Sequence, residues 1–235
     1  MSPSQKPLVF IISAPSGSGK STLTNDVLKL VPNLEFSISY TTRAPRGSEQ
    51  NGKQYHFIRM EEFDRMIEDG EFLEYAKVHG NCYGTAREFL RAAGRKGNDL
   101  LLDIDVQGAE QIKRNLTDAI SIFVLPPNRN TLEWRLSNRS EDSAEVIQRR
   151  LLAAAREIEK YEKYDYVLIN DKLEEACEKL RAIVLSERLR RLDRPLSDAE
   201  KKTIERAECC RLANARERVK PILLSFGAPP PSARS

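Results

Sequence analysis

The sequence predicts an α/β fold: a three-layer parallel sheet with helices on both faces, interrupted by an inserted small lobe of mixed β structure. Three observations lead there. Near-continuous apolar runs (Leu8–Ile12, DLLLDI from 99, AISIFVL from 119 and YVLIN from 166) alternate with helix-patterned stretches. Strands apolar on both faces belong to a parallel sheet covered twice. The first run leads through SAPSGSGKS into the helix-like TLTNDVLKLV, a strand, a Gly-rich turn and a helix in succession. Residues 36 to about 90 then break the rhythm with shorter, more polar strands, as an insertion does.

The strand–loop–helix at the N-terminus has the context of a phosphate-binding P-loop. Its small residues, Ala14, Pro15, Ser16, Gly17, Ser18 and Gly19, let successive backbone N–H groups converge on phosphate oxygens, and the helix N-terminus adds partial positive charge. Lys20 is placed to reach the outer phosphates and the Ser21 hydroxyl to ligate Mg²⁺. The pattern G-x-x-x-x-G-K-[ST] asks for Gly where this chain has Ala14, a cost only if φ is positive there.

The remaining elements follow in order. FSISYTT (36–42) reads as extended, and KQYHFI (53–58) follows a polar stretch. MEEFDRMIEDG is a short helix ended by Gly70. EFLEYAKVHGNCYGT is two extended runs joined at His79–Gly80, and REFLRAAGRKG a helix closing on Gly94 or Gly97. DLLLDIDVQG is a buried strand entering a helix, and AISIFVL a strand ended by Pro126 and Pro127. NRNTLEWRLSNR and AEVIQRRLLAAAREIEKYEKY are amphipathic helices. YVLIN is a last strand and KLEEACEKLRAIVLSERLRRL a long helix. Beyond Arg194–Pro195 one more helix is expected over about 197–219, opened by a Ser197/Glu200 capping box, and GAPPPSARS reads as a disordered tail.

Composition narrows the class. The 235 residues are 40% hydrophobic and 31% charged, ordinary for a globular protein with a sizeable core. No apolar stretch approaches the roughly 20 residues of a membrane span, and MSPSQKP has no apolar signal region, so a cytoplasmic protein without membrane contact is expected. Cys82, Cys177, Cys209 and Cys210 form no C-x-x-C pair, and reduced thiols are expected. The net charge of +3 is uneven: residues 188–235 carry 12 Lys/Arg against 6 Asp/Glu, leaving −3 on the rest. A slightly acidic body does not suggest nucleic-acid binding.

Residues 37–57 read SISYTTRAPRGSEQNGKQYHF. Arg43 and Arg46 lie three apart in a Pro-containing loop beside hydroxyls, and Tyr55 and Tyr83 can each add a phenolic hydrogen bond. Paired arginines are often solvated surface charge. Downstream of a P-loop they are a candidate second phosphate site, because guanidinium binds phosphate oxygens bidentately and keeps its charge. Here the chain closely resembles the guanylate kinases, from about Pro7 to Arg190. The pattern S-x-S-x-T-T-R-x-P-R-x-x-E-x-x-G-x-x-Y-x-F is met at every fixed position, and FLEYA, YGT, LLLDIDVQG, RLSNR, VIQRRL and YVLIND also match.

The resemblance implies roles. Ser39 hydrogen-bonds the guanine carbonyl, Glu74 accepts from guanine N1–H and the exocyclic amine, and Thr85 adds a base contact. Arg43, Arg46, Tyr55 and Tyr83 hold the GMP phosphate. Asp103 and Asp105 orient GMP and the Mg²⁺ shell, with Asp103 outside the direct ligand set. Arg135, Arg139 and Arg150 resemble lid arginines, and Asn170 touches the adenine of ATP. Lys20, Arg43, Arg135 and Arg150 form the catalytic set.

The expected activity is therefore transfer of the γ-phosphoryl of Mg·ATP to GMP and dGMP, in purine nucleotide metabolism, by a monomer or homodimer. Such a reaction asks for positioning and charge neutralisation rather than a nucleophile–base pair. The expected organisation is a catalytic domain over 7–190, comprising a core of 7–35 and 91–190, a GMP-binding lobe over 36–90 and a helical lid over 127–160. Residues 191–235 are a C-terminal extension, and closure on both substrates is expected to hinge near 35–40 and 85–95. The alternative is a non-catalytic guanylate-kinase-like interaction module.

Overall fold

A computed structural model of the chain describes residues 6–78, 80–139 and 143–227. The composition-based reading of a disordered tail falls on residues 228–235, outside the described residues, as does His79 at the expected turn. The fold is α/β, with a parallel central sheet and a separate mixed sheet. The chain divides into two compact units.

The first unit holds the described residues up to Ile11 together with Asn33–Ile120. Its part of the central sheet is ordered β2-β7-β1, from Leu34–Ser37, Asp99–Asp103 and the start of Val9–Ser13. β2 and β7 are parallel, with Leu34 opposite Asp99 and Ser37 opposite Leu102. The polar Asp99 is buried because its carboxylate accepts from the Leu8 N–H at 2.7 Å. FSISYTT, read as one run, is split: Ser37 ends β2, and Tyr40–Thr41 begins β3 in the other sheet.

That second sheet is ordered β4-β3-β6-β5, with β4 at His56–Phe57, β5 at Phe72–Val78 and β6 at Asn81–Ala86. β3 runs parallel to β4 and antiparallel to β6, and β5 is antiparallel to β6. Helix α2 (Met60–Glu68) closes one face: Phe63 and Met66 pack with Phe72 and Ala86, and Cys82 joins the rim of this cluster. Gly70 follows α2 at φ +65, as the helix-stop reading requires. Helix α3 (Arg87–Lys96) stops at Gly97, not Gly94, since φ +70 occurs only at Gly97 of the two. Helix α4 (Val106–Asn115) follows β7 directly.

The second unit holds Ile12–Pro32 and the described residues from Ser121 on. Its strand order is β1-β8-β9, from Ile120–Leu125 and Tyr166–Ile169, with Ile122 parallel to Tyr166 and Leu125 to Ile169. β8 is buried throughout, as its unbroken apolar run demands. The helices of this unit up to residue 189 are α1 (Lys20–Leu30), α5 (Arg129–Arg139), α6 (Ala144–Ile158) with a 3₁₀ turn at Glu159–Lys163, and α7 (Leu173–Leu189).

The C-terminal segment corrects the sequence reading. It forms two helices, α8 (Asp198–Glu208) and α9 (Leu212–Ser225), not one over 197–219. The Ser197/Glu200 capping box is present. The break at 209–211 feeds the open edge of β9. Cys210 O accepts from Val167 N–H at 2.7 Å, Leu212 N–H donates to Asp165 O at 3.1 Å, and Arg211 bridges Tyr166 antiparallel. The Arg211 guanidinium lies 4.3 Å from the Tyr166 ring centroid and pairs with Glu187 at 2.7 Å. Strand-edge hydrogen bonds thus override the helical propensity of this stretch. No described helix is long and apolar enough to cross a membrane.

Candidate active site

In the second unit, the loop after β1 is shaped by Gly17 (φ +88) and Gly19 (φ +86), conformations that side-chain-bearing residues avoid. Ala14 is not at positive φ: among the described residues only Asn33 is a non-glycine there. The missing first glycine therefore carries no backbone strain. Ser18 N–H closes a turn on Pro15 O at 3.1 Å, and α1 begins at Lys20, so the loop delivers a helix N-terminus.

Packing fixes the glycines as well as dihedrals. A Cβ on Gly19 would lie 2.3 Å from Asn170 Nδ2, and one on Gly17 would lie 2.8 Å from Leu136 Cδ2. Asn170 donates from Nδ2 to Ser18 O at 2.7 Å, while its Oδ1 is buried and has no partner among the described residues. The expected adenine-contacting residue is thus also a strut of the loop. Arg135 reaches the same group, donating to Asn170 O at 3.0 Å. Burial pulls its pKa down, and its Nη1 has no partner among the described residues. A desolvated guanidinium with spare donors is suited to an arriving anion. Arg150 donates to the Ser16 hydroxyl at 2.7 Å, so this residue of an exposed helix does meet the loop. The Arg139 backbone ends α5, and its side chain lies outside the described residues.

In the first unit, a second cluster forms on the mixed sheet. Arg43 is 9% exposed, an unusual place for a guanidinium. Its charge is matched: it donates to Glu49 at 3.0 Å and to Ala44 O at 2.8 Å. It lies 5.4 Å from the Tyr55 ring centroid and 5.7 Å from that of Phe57. Burial would lower the Arg43 pKa, but hydrogen bonds with Glu49 and Tyr83 outweigh it and hold the charge. Glu49 in turn is raised by burial and lowered further by the Arg46 N–H and the Arg43 guanidinium, so it stays ionised. Tyr55 and Tyr83 pack edge to face at 5.8 Å. Burial, with the nearby Asp103 charge, pushes the Tyr55 phenol up to about 12. A phenol kept protonated is a donor. Arg46 and Ser39 sit at the rim, Arg46 exposed and Ser39 half-buried.

Beside this cluster, Glu74 of β5 faces Thr85 of β6 across the register, both buried. The Thr85 hydroxyl donates to Glu74 Oε1 at 2.6 Å. Burial, with help from the Asp105 charge, pushes Glu74 up to about 7. Asp105 caps α4 by accepting from Gly108 N–H at 2.8 Å, which commits one of its oxygens to structure. Asp103 ends β7, half-buried.

Two residues that the sequence reading passed over belong to the site. Glu49 holds Arg43, and its signal was available: it is a fixed position of the same pattern, three residues after Arg46. Gly108 makes room for Glu74, since a Cβ there would lie 2.6 Å from Glu74 Oε2. Only the folded chain shows that approach.

A Gly-shaped loop on a helix N-terminus, met by two arginines, and a separate cluster of arginine, tyrosines and a buried carboxylate define a P-loop α/β protein with a second polar site. Residues 4–187 match the family model described as guanylate kinase. The guanylate kinase of Koribacter versatilis is 57% identical over 221 residues, covering 93% of this chain and 95% of the relative. That of Geobacter metallireducens is 49% identical over 183 residues, 78% of this chain and 90% of the relative. A crystal structure of guanylate kinase from Anaplasma phagocytophilum superposes with a TM-score of 0.64 at 36% identity, covering 77% of this chain and 86% of that one. The chain belongs to the guanylate kinase family. The Koribacter match extends into residues 191–235, whereas the Geobacter match is 38 residues shorter.

Proposed function

We propose that this chain transfers the γ-phosphoryl group of ATP to the phosphate of GMP, and of dGMP, giving ADP and GDP. The observation that carries this is the buried Glu74–Thr85 pair. A carboxylate accepts from two adjacent donors. Guanine presents N1–H and an exocyclic amine side by side, and adenine presents no such pair. Ser39 supplies the donor for the guanine carbonyl, and Arg43, Arg46, Tyr55 and Tyr83 hold the phosphate, with Glu49 fixing Arg43. Asp103 and the uncommitted oxygen of Asp105 orient the acceptor.

On the ATP side, the loop amides of residues 14–21 and Lys20 take the β- and γ-phosphates. Arg135 and Arg150, with Arg139, neutralise charge as it shifts in the transition state. The unpartnered Asn170 Oδ1 is the atom left to accept from the adenine amine. The Ser21 hydroxyl lies exposed on the first turn of α1, and the described residues hold no group of three metal-ligating side chains. That donor set fits Mg²⁺, which takes most of its six oxygens from phosphates and water. When bound, the ion offsets the charge of the phosphate oxygens. The organisation proposed is a domain over 7–190 with its GMP lobe at 36–90 and lid at 127–160, acting in the cytoplasm as a monomer or homodimer.

A coupled assay of ADP formation from Mg·ATP, comparing GMP with AMP, CMP and UMP, tests the reading. Turnover should favour GMP strongly and fall about 10²–10³-fold in Lys20→Ala, the cost of removing one charge-stabilising donor, with a comparable loss in Arg43→Ala. A folded protein inactive with all four acceptors would refute it.

A further inference from the structure

Helix α5 brings Arg135 to Asn170, whose amide holds Ser18 O of the phosphate loop, α6 brings Arg150 to Ser16 of that loop, and the chain leaves them through the Glu159–Lys163 turn. The first root of this helical hairpin is bonded to α9, the last described helix, and the second faces it across a cleft. At the first root, the Arg129 N–H opens α5 and donates to the Ser225 hydroxyl at 3.1 Å, while that hydroxyl donates to Ile222 O at 2.7 Å. The first N–H groups of a helix have no acceptor within it. Asn128 serves Thr131 at 2.8 Å, and Ser225, 96 residues further along the chain, serves Arg129. At the second root, Arg216 of α9 lines a cleft of about 240 Å³ with Glu159, Lys160, Glu162 and Lys163. Its charge also acts on the phenol of the buried Tyr161.

α9 is itself well anchored. Ala215, Val219, Ile222 and Leu223 are buried, and the Cys210–Leu212 segment is bonded to the edge of β9 and to Asp165. The hairpin is tied internally as well. Gln148 of α6 accepts from the Arg129 guanidinium at 3.4 Å and donates to Glu133 at 3.3 Å, two residues before Arg150. A continuous path of contacts therefore runs from Ser225 to the helix turn that carries Arg150.

We propose that the C-terminal helices are a brace that positions Arg135 and Arg150 at the phosphate loop, with Ser225 as its hydrogen-bonding residue at the first root and Arg216 as the charge that faces the second across the cleft. This rests on the phosphotransferase reading. Ser225 and Arg216 act through the hairpin and touch no substrate; they are positioning residues. Removing them frees the roots of α5 and α6 and leaves the mixed sheet of the first unit unaltered.

The test uses the full chain with Ser225→Ala and Arg216→Gln, singly and together, and with Ser225→Thr as the conservative control. In the double variant KM for ATP should rise, and kcat fall, about fivefold each, equivalent to about 1 kcal/mol at 1.4 kcal/mol per decade. KM for GMP should stay within about 1.5-fold, since the brace acts on the ATP side alone. Ser225→Thr keeps the acceptor oxygen and should behave as the unaltered chain. Without nucleotide, amide exchange at 129–132 and 159–163 should quicken in the double variant. Unchanged KM for ATP and kcat, or an equal rise in both KM values, overturns the proposal. If the unaltered chain turns over no acceptor, the phosphotransferase reading fails. Exchange then decides alone: unchanged rates at both roots refute the brace, and faster rates support it.

Discussion

Glu74 is 5% exposed, and burial pushes its carboxyl from an ordinary 4.5 up to about 7. Holding that proton up to about pH 7 corresponds to about 3 kcal/mol, at 1.36 kcal/mol for each tenfold change in proton affinity. Between pH 4.5 and 7 the unfolded chain has lost this proton and the folded chain still holds it. Folded-state stability therefore falls as pH rises through that window, by up to about 3 kcal/mol in total, and is level in this respect above it. Glu74→Gln keeps the volume and an acceptor for the Thr85 hydroxyl but does not titrate. Urea unfolding from pH 4.5 to 8 should show the unaltered chain losing stability relative to the variant by about 1.4 kcal/mol per pH unit inside the window. Parallel curves for the two proteins would refute the reasoning.

With Glu74 as the proposed guanine acceptor, GMP recognition should depend on pH with the opposite sign. An acceptor for guanine N1–H and the amine must be ionised. About a tenth of Glu74 is ionised at pH 6 and nine-tenths at pH 8, so KM for GMP should fall about tenfold over that range. The GMP phosphate, with a second pKa near 6, contributes its own dependence. Glu74→Gln isolates it, because that variant retains the phosphate and lacks the carboxyl. At pH 8 its KM for GMP should be raised at least about tenfold, the cost of facing donors with a partly mismatched amide. Identical KM profiles in the two proteins would place guanine recognition elsewhere.

Other substitutions give sharp outcomes. Gly19→Ala combines a φ of +86 with a Cβ 2.3 Å from Asn170 Nδ2, and should raise KM for ATP about tenfold or more in steady-state kinetics. Ala14→Gly relieves nothing, since Ala14 is not at positive φ. Kinetics should stay within about twofold while thermal unfolding shows a loss of about 0.4–1 kcal/mol from added backbone freedom. Gly108→Ala sits in α4, where Ala alone would gain about 1 kcal/mol. Its Cβ would meet Glu74 Oε2 at 2.6 Å, so calorimetry should show no gain and KM for GMP should rise about tenfold.

The phosphate loop was legible because its chemistry is local. A strand, two glycines, a lysine and a helix lie consecutively, and the residues proposed to bind phosphate also dictate the turn. Arg43 and Arg46 were legible as a pair but not as unequals. Arg43 is buried on Glu49 while Arg46 is exposed, and that difference depends on how the loop between β3 and β4 folds back, with Glu49 taking the Arg43 guanidinium and the Arg46 N–H. Glu74 illustrates what sequence cannot carry. In FLEYA it alternates with apolar residues and could as well face water. Only the register against Thr85 and the approach of Gly108 turn it into a buried acceptor. Likewise FSISYTT contains no break, yet β2 must pair with β7 and β3 with β6, so the run is divided by partners far along the chain.

The C-terminal extension shows the same limit from the other side. Its helical composition is continuous from Ser197 to Val219, and by propensity alone one helix is the better solution. β9, however, leaves backbone groups open at the sheet edge, and such groups buried without partners cost more than a few helical residues gain. Cys210, Arg211 and Leu212 supply partners around Asp165–Val167, so the helix is interrupted there. Arg211 completes the exchange by stacking on Tyr166 and pairing with Glu187. Breaking the helix also redirects α9, which is what allows Ser225 to reach the first residue of α5. A reading based on propensity sees an appendage. The energetics of one strand edge make it a structural part of the unit that holds the phosphate loop.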